Sequence, residues 1–240
     1  MRSAFERGDL DETQRQGELA GPAVVDKLLR KHADRTAVLA GITAAPYVED
    51  RAELLAPLAD LAAGPDRRTA IPAALAAVRI ARWFTQTTPA DDLAADDVVG
   101  WRDRFAVIAM DPSRWIEVRA AALEVSAALS AAPILQSDGG IGVALGDALK
   151  DPDPAFRAAV ITALPVPVPA TARAVVAALV ASDPNADVAL AAAAALCADT
   201  SVDPSAPIIA AIGEAGIARI TKLVDAKVPG AHDAKRCLKK

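Results

Sequence analysis

The chain is expected to be all-α, and three observations carry that expectation. About a quarter of its 240 residues are alanine, the strongest helix former, while aromatics make up only 3%. Strand-favouring residues other than valine are sparse. Apolar residues also recur at three-to-four spacing in segments that end at Pro, Gly or Asp, the rhythm of short helices rather than of βαβ units.

Residues 1–21 are polar and carry Gly8, Gly17 and Gly21, which reads as a flexible or loosely docked leader with room for one short helix. After Gly21-Pro22 the helical pattern begins with Val24, Val25, Leu28 and Leu29, and continues over Ala37 to Tyr47. Leu54, Leu55, Leu58 and Leu61 come next. Ile71 to Phe84 follows, with Leu75, Val78, Ile80 and Phe84 as its large apolar members. A linker is expected near 85–97 and a basic tail over 227–240, so that 22–240 reads as one domain.

Internal repetition is the clearest signal. Asp111-Pro112 leads into Val118-Arg119-Ala120, Asp151-Pro152-Asp153-Pro154 into Phe156-Arg157-Ala158, and Asp183-Pro184 into Val188-Ala189-Leu190. A weaker copy runs from Pro65-Asp66 to Ile71-Pro72-Ala73. Aligned on Ile71, Val118, Phe156 and Val188, the copies are 47, 38 and 32 residues apart. Asp caps a helix N-terminus, Pro suits the first turn, and the alanines let neighbouring helices approach closely.

This Asp-Pro, Val-Arg-Ala-Ala pattern resembles the second helix of a HEAT-type repeat, particularly the short bacterial variety, over roughly residues 50–225. The resemblance implies an α-solenoid of antiparallel helix pairs forming a curved right-handed slab, with the second helices lining the concave side. It also implies that Arg119 and Arg157 reach a carboxylate of the inter-helix turn, with Asp111 and Asp151 or Asp153 as partners. Ala189 and Pro72 replace that arginine in the other copies. Roles in the family range over scaffolds, adaptors, bilin lyase subunits and a DNA glycosylase branch, so membership points to a fold more than to a function.

Composition narrows the function. Net charge is −5, and from Ser126 to Ala218 only Lys150, Arg157 and Arg173 are basic against nine acidic residues. A nucleic-acid surface needs a basic stripe, and this stretch is the opposite. No apolar run reaches the roughly 18 residues of a membrane span. The first residues lack an apolar signal core, which points to the cytoplasm.

The chain holds two histidines, His32 and His232, and two cysteines, Cys197 and Cys237. None sits in a nucleophile or zinc motif, so no catalytic residue, metal or cofactor is expected. Asp91-Asp92 and Asp96-Asp97 lack the alternating ligands of a calcium loop. Gly139-Gly140-Ile141-Gly142 lacks the βαβ context of a dinucleotide site.

The expected function is a monomeric, non-enzymatic scaffold or adaptor that binds a protein partner on its concave face. The alternatives are a bilin-lyase-type or regulatory subunit and a glycosylase-like protein. Trp83, Phe84, Trp101, Phe105 and Trp115 fall within 33 residues, with Arg79, Arg82 and Arg102 nearby. This cluster either fills a gap in the stacking or forms a partner-binding patch. Cys197 lies on an apolar helix and Cys237 in the basic tail. A disulfide between them would clasp the C-terminus and imply export after loss of a leader; two free thiols would suit a reducing cytoplasm.

Overall fold

The computed structural model describes residues 1–86, 94–132, 141–164, 168, 170–202 and 208–237. Every regular element among them is helical. The backbone divides into two compact units, Met1–Ile141 and Gly142–Lys240.

The first unit contains α1 (Arg2–Glu6), α2 (Leu10–Ala20), α3 (Pro22–Leu29), α4 (Arg35–Ala44), α5 (Leu55–Ala62), α6 (Arg67–Gln86), α7 (Ala95–Met110) and α8 (Ile116–Ser130). Short 3-10 turns at Ala45–Tyr47 and Arg51–Leu54 join α4 to α5. The packing order is regular. α3 packs on α4, α5 on α6, and α7 on α8. The odd helices also touch in succession, α3 with α5 and α5 with α7, as do the even ones, α4 with α6 and α6 with α8.

Residues 1–21 form α1 and α2, which pack on each other and on α4. The buried residues of α2 are Thr13 and Gly17, whereas its Leu10 and Leu19 are exposed. Gly17 is where α2 and α4 come closest: a Cβ there would overlap the Cβ of Ala44.

The second unit contains α9 (Ile141–Ala148), α10 (Pro154–Thr162), α11 (Ala170–Ser182), α12 (Ala186–Val202), α13 (Ile208–Asp225) and α14 (Ala231–Cys237). α11 packs on α12 and α13 on α14. α11 also meets α13, and α12 meets both α10 and α14. Gly213 has φ +63° and breaks α13 into two helical pieces. That backbone angle costs glycine little and other residues more.

Of the repeated aspartates, Asp66 caps its helix as expected, accepting from the N–H of Arg68 in the first turn of α6, whereas Asp111, Asp151 and Asp183 lie ahead of the cap. Asp66, Asp111, Asp151 and Asp183 each accept a hydrogen bond from the backbone N–H two residues on: Arg68, Ser113, Asp153 and Asn185, at 2.9–3.1 Å. These are four copies of one Asx turn. At two of them the helix cap falls on a later residue. Asp153 accepts from the N–H of Ala155 to cap α10, and Asn185 accepts from Asp187 and Val188 at the start of α12. Val118, Phe156 and Val188, which follow the turns, are fully buried.

Candidate partner-binding face

The even helices of the first unit, α4, α6 and α8, touch in sequence, so their outward sides form a row. The middle helix, α6, is mostly small on its inner sides. Ala70, Ala73, Ala74, Ala77 and Ala81 are buried, together with Val78 and Ile80. Its outer side carries Arg68, Pro72, Leu75, Arg79 and Arg82 at helical spacing, with all but the half-buried Pro72 exposed. Leu75, one of the large apolar residues of this segment together with Val78 and Ile80, is 52% exposed. Tyr47, 39% exposed, lies beside this stripe and accepts a hydrogen bond from Arg79 Nη1 at 3.4 Å.

Charge along the row is partly cancelled. Arg67 Nη2 meets Glu117 of α8 at 2.6 Å, and Arg82 Nε meets Glu124 of α8 at 2.7 Å. Glu117's own backbone N–H, and then Arg67, hold its carboxyl below the usual carboxylate value. Arg35 at the start of α4 reaches Asp66 at 3.1 Å, and on the odd side Arg104 of α7 pairs with Asp60 of α5. These exposed pairs fix register more than they stabilise, at about 0–1 kcal/mol each.

The aromatic cluster is divided among different settings. Trp83 is half-buried near the end of α6, with the Arg51 guanidinium 5.0 Å from its ring centroid. Arg51 is itself held by the Pro46 carbonyl at 2.5 Å. Trp101 and Arg102 are half-buried on α7, and Arg102 Nε donates to Asp103 at 2.8 Å. Trp115 is half-buried just before α8, whereas Phe105 is fully buried. The side chain of Phe84 lies outside the described residues.

Arg119 and Arg157 are both buried. Arg119 Nε donates to the Ala109 carbonyl, the last turn of α7, at 2.9 Å. There a cation also suits the helix dipole. Asp111, the carboxylate expected to pair with Arg119, bonds Arg114 at 2.8 Å. The hydroxyl and N–H of Ser113, with Arg114, hold the Asp111 carboxyl down at about 2. Arg157 meets its own turn through backbone oxygens, donating from Nη1 to the carbonyls of Asp151 at 2.6 Å and Pro152 at 3.2 Å. Its carboxylate partner is Asp183 of the following Asx turn, in place of Asp151 or Asp153.

A cleft of about 710 Å³ opens between the α3–α4 turn and the α5–α6 turn. His32, Arg35, Asp60, Asp66 and Thr69 supply its polar lining. Both carboxylates are already paired with arginine, Asp60 with Arg104 and Asp66 with Arg35. Among the described residues, no three His, Cys, Asp or Glu side chains stand close enough to share a metal. No helix there is long and apolar enough to cross a membrane.

Of the two cysteines, Cys197 is half-buried on α12, and no free cysteine occurs among the described residues. α12 packs on α14, the helix that ends at Cys237. The Cys237 side chain, Asp91-Asp92, Gly139-Gly140 and Lys239-Lys240 lie outside the described residues.

Sequence comparisons find no matching protein family and no matching curated protein.

Proposed function

We propose that the chain is a non-enzymatic protein-interaction module built from HEAT-like helix pairs, and that the row of even helices in its first unit is the surface that takes the partner. The observation that carries this reading is the exposed stripe on α6. On α4, α6 and α8, among the described residues, Leu75 is the large apolar side chain left in solvent, with Tyr47 exposed beside Arg79. Leu10, Leu19, Val24, Val107 and Met110 are also exposed but lie on α2, α3 and α7. Aromatic and arginine side chains are the residues most enriched where binding energy concentrates. The stacking order supports a solenoid, because in the first unit successive helix pairs pack on one another and the even helices touch in sequence. The four repeated Asx turns agree with it.

The test is site-specific photo-cross-linking in the native host. A benzophenone amino acid is placed at Leu75 on α6 or, as a control, at the exposed Lys27 on α3. The reading expects a discrete protein adduct from the Leu75 position that excess unlabelled wild-type chain displaces, and none from Lys27. Absence of an adduct at Leu75, or equal labelling at both positions, contradicts it.

A further inference from the structure

We infer that the partner segment is acidic and carries one apolar anchor, which sits on Leu75 and Tyr47 while its carboxylates meet Arg68 and Arg79. This rests on reading the even-helix face as the partner surface, and adds what that face selects.

The argument is one of leftover charge. α6 presents four exposed arginines. Arg67 and Arg82 are neutralised by Glu117 and Glu124. Among the described residues Arg68 makes no ion pair and the side chain of Arg79 meets only a phenol, that of Tyr47. The stripe's uncompensated charge is therefore positive at both ends of an exposed leucine. Arg68 and Arg79 are eleven positions apart, about 16 Å along the helix. An extended peptide spans that distance in about five residues. A glutamate or aspartate near each end and an apolar residue between them would match the stripe.

A basic segment would face two arginines with no counter-charge. A nucleic acid would need a longer basic track, whereas here Glu117 and Glu124 flank the stripe. Glu49, Asp50 and Glu53 are exposed in the stretch after Tyr47, so the partner's negative charge ends at that tyrosine.

Fluorescence polarisation on the full chain tests this with four labelled probes of equal length. They are a glutamate peptide with a central leucine, the same peptide with lysine for glutamate, the glutamate peptide with serine for leucine, and a single-stranded oligonucleotide. The glutamate–leucine peptide should bind at least about tenfold tighter than each of the others. Its affinity should fall with added salt, as for any exposed charge contact. Arg68→Glu, Arg79→Glu and Leu75→Ser should each weaken it about tenfold or more, and Lys27→Glu should not. Arg79→Gln, which removes charge alone, should lose part of the affinity even if the reversal disturbs folding. Equal or tighter binding of the lysine peptide or the oligonucleotide overturns the inference, as does indifference to the Arg68 and Arg79 variants. If no peptide binds but Leu75 still cross-links, the acidic-anchor inference fails and the surface reading stands; if both fail, both are wrong.

Discussion

Arg157 grips both carboxylate oxygens of Asp183, at 2.9 Å each, across 26 residues of sequence. Both side chains are almost wholly buried, and Asp183 at the same time closes its own Asx turn by accepting from Asn185. A single guanidinium thus binds the carbonyls of one turn and the carboxylate of the next, coupling two successive repeats of the second unit.

Removing one member of such a pair leaves a buried charge without compensation, which costs about 3–5 kcal/mol. Arg157→Ala should therefore lower the unfolding free energy obtained from urea titration by an amount in that range, with a correspondingly lower midpoint. Arg157→Met with Asp183→Ala should recover part of the loss, but not all, because the carbonyls of Asp151 and Pro152 and the N–H of Asn185 stay unserved. An Arg157→Ala protein of unchanged midpoint would mean that the pair does not couple the repeats.

Gly17 offers a packing test in the first unit. Alanine raises intrinsic helix propensity by about 1 kcal/mol over glycine. Here the added methyl meets Ala44 Cβ, which is fixed to the α4 backbone and cannot swing aside. Overpacking costs about 1–3 kcal/mol, so the steric term outweighs propensity. Gly17→Ala should lower thermal stability and Gly17→Val should lower it further. A Gly17→Ala protein more stable than wild type would show that α2 does not pack on α4 as described.

Much of this organisation was legible in the residues, and the misses have physical causes. The Asp-Pro copies marked the turns because an Asx turn is a local device, set by the residue and its next two N–H groups. The partner of Arg157 was misread because a carboxylate a whole repeat away competes with nearer ones only once the chain has folded. The close docking of α2 on α4 is harder to read than a short helix in the leader, because its contact face is Thr13 and Gly17, while its leucines point outward, inverting the usual apolar period. Spacing alone does not say that Leu75 is left uncovered while Val78 and Ile80 are buried, because α6 is apolar on several faces. On the candidate site, Arg79 and Arg82 could be picked out beforehand from their neighbourhood of aromatics, whereas Tyr47 and Arg68 could not. Tyr47 comes to α6 through a 3-10 turn that no periodicity announces.

Acid should act on Asp111 in a defined window. Its folded value of about 2 lies below the ordinary carboxylate range, so its favourable interactions with Ser113 and Arg114 are present above pH about 4. They are lost as pH falls from there toward 2. Carboxyl carbon shifts followed by NMR should show Asp111 titrating near pH 2. Asp111→Asn should flatten the pH dependence of stability between pH about 4 and 2. Titration of Asp111 near pH 4 would contradict the turn geometry.

The cysteine clasp remains a proposal, supported by the packing of α12 on α14 and by the absence of a free cysteine among the described residues. Closing a loop of about 40 residues would stabilise the chain by roughly 3–4 kcal/mol in the chain-entropy account. Intact mass of protein purified without reductant should be two hydrogens below the reduced value, with no alkylation before reduction. Two thiols freely alkylated in protein taken from its native compartment would remove both the clasp and the case for export.

The proposed binding of a protein segment through the outer face of α6 is measured most directly by a selection from a random peptide library displayed on phage, panned in parallel on wild-type chain and on the Leu75→Ser, Arg79→Glu double variant. Both side chains are exposed, so the variant should keep the wild-type circular dichroism and unfolding midpoint. Wild type should enrich peptides that compete with one another, share acidic residues around an apolar one, and are lost on the variant. Equal enrichment on the two proteins, or no enrichment on wild type, would contradict the proposal.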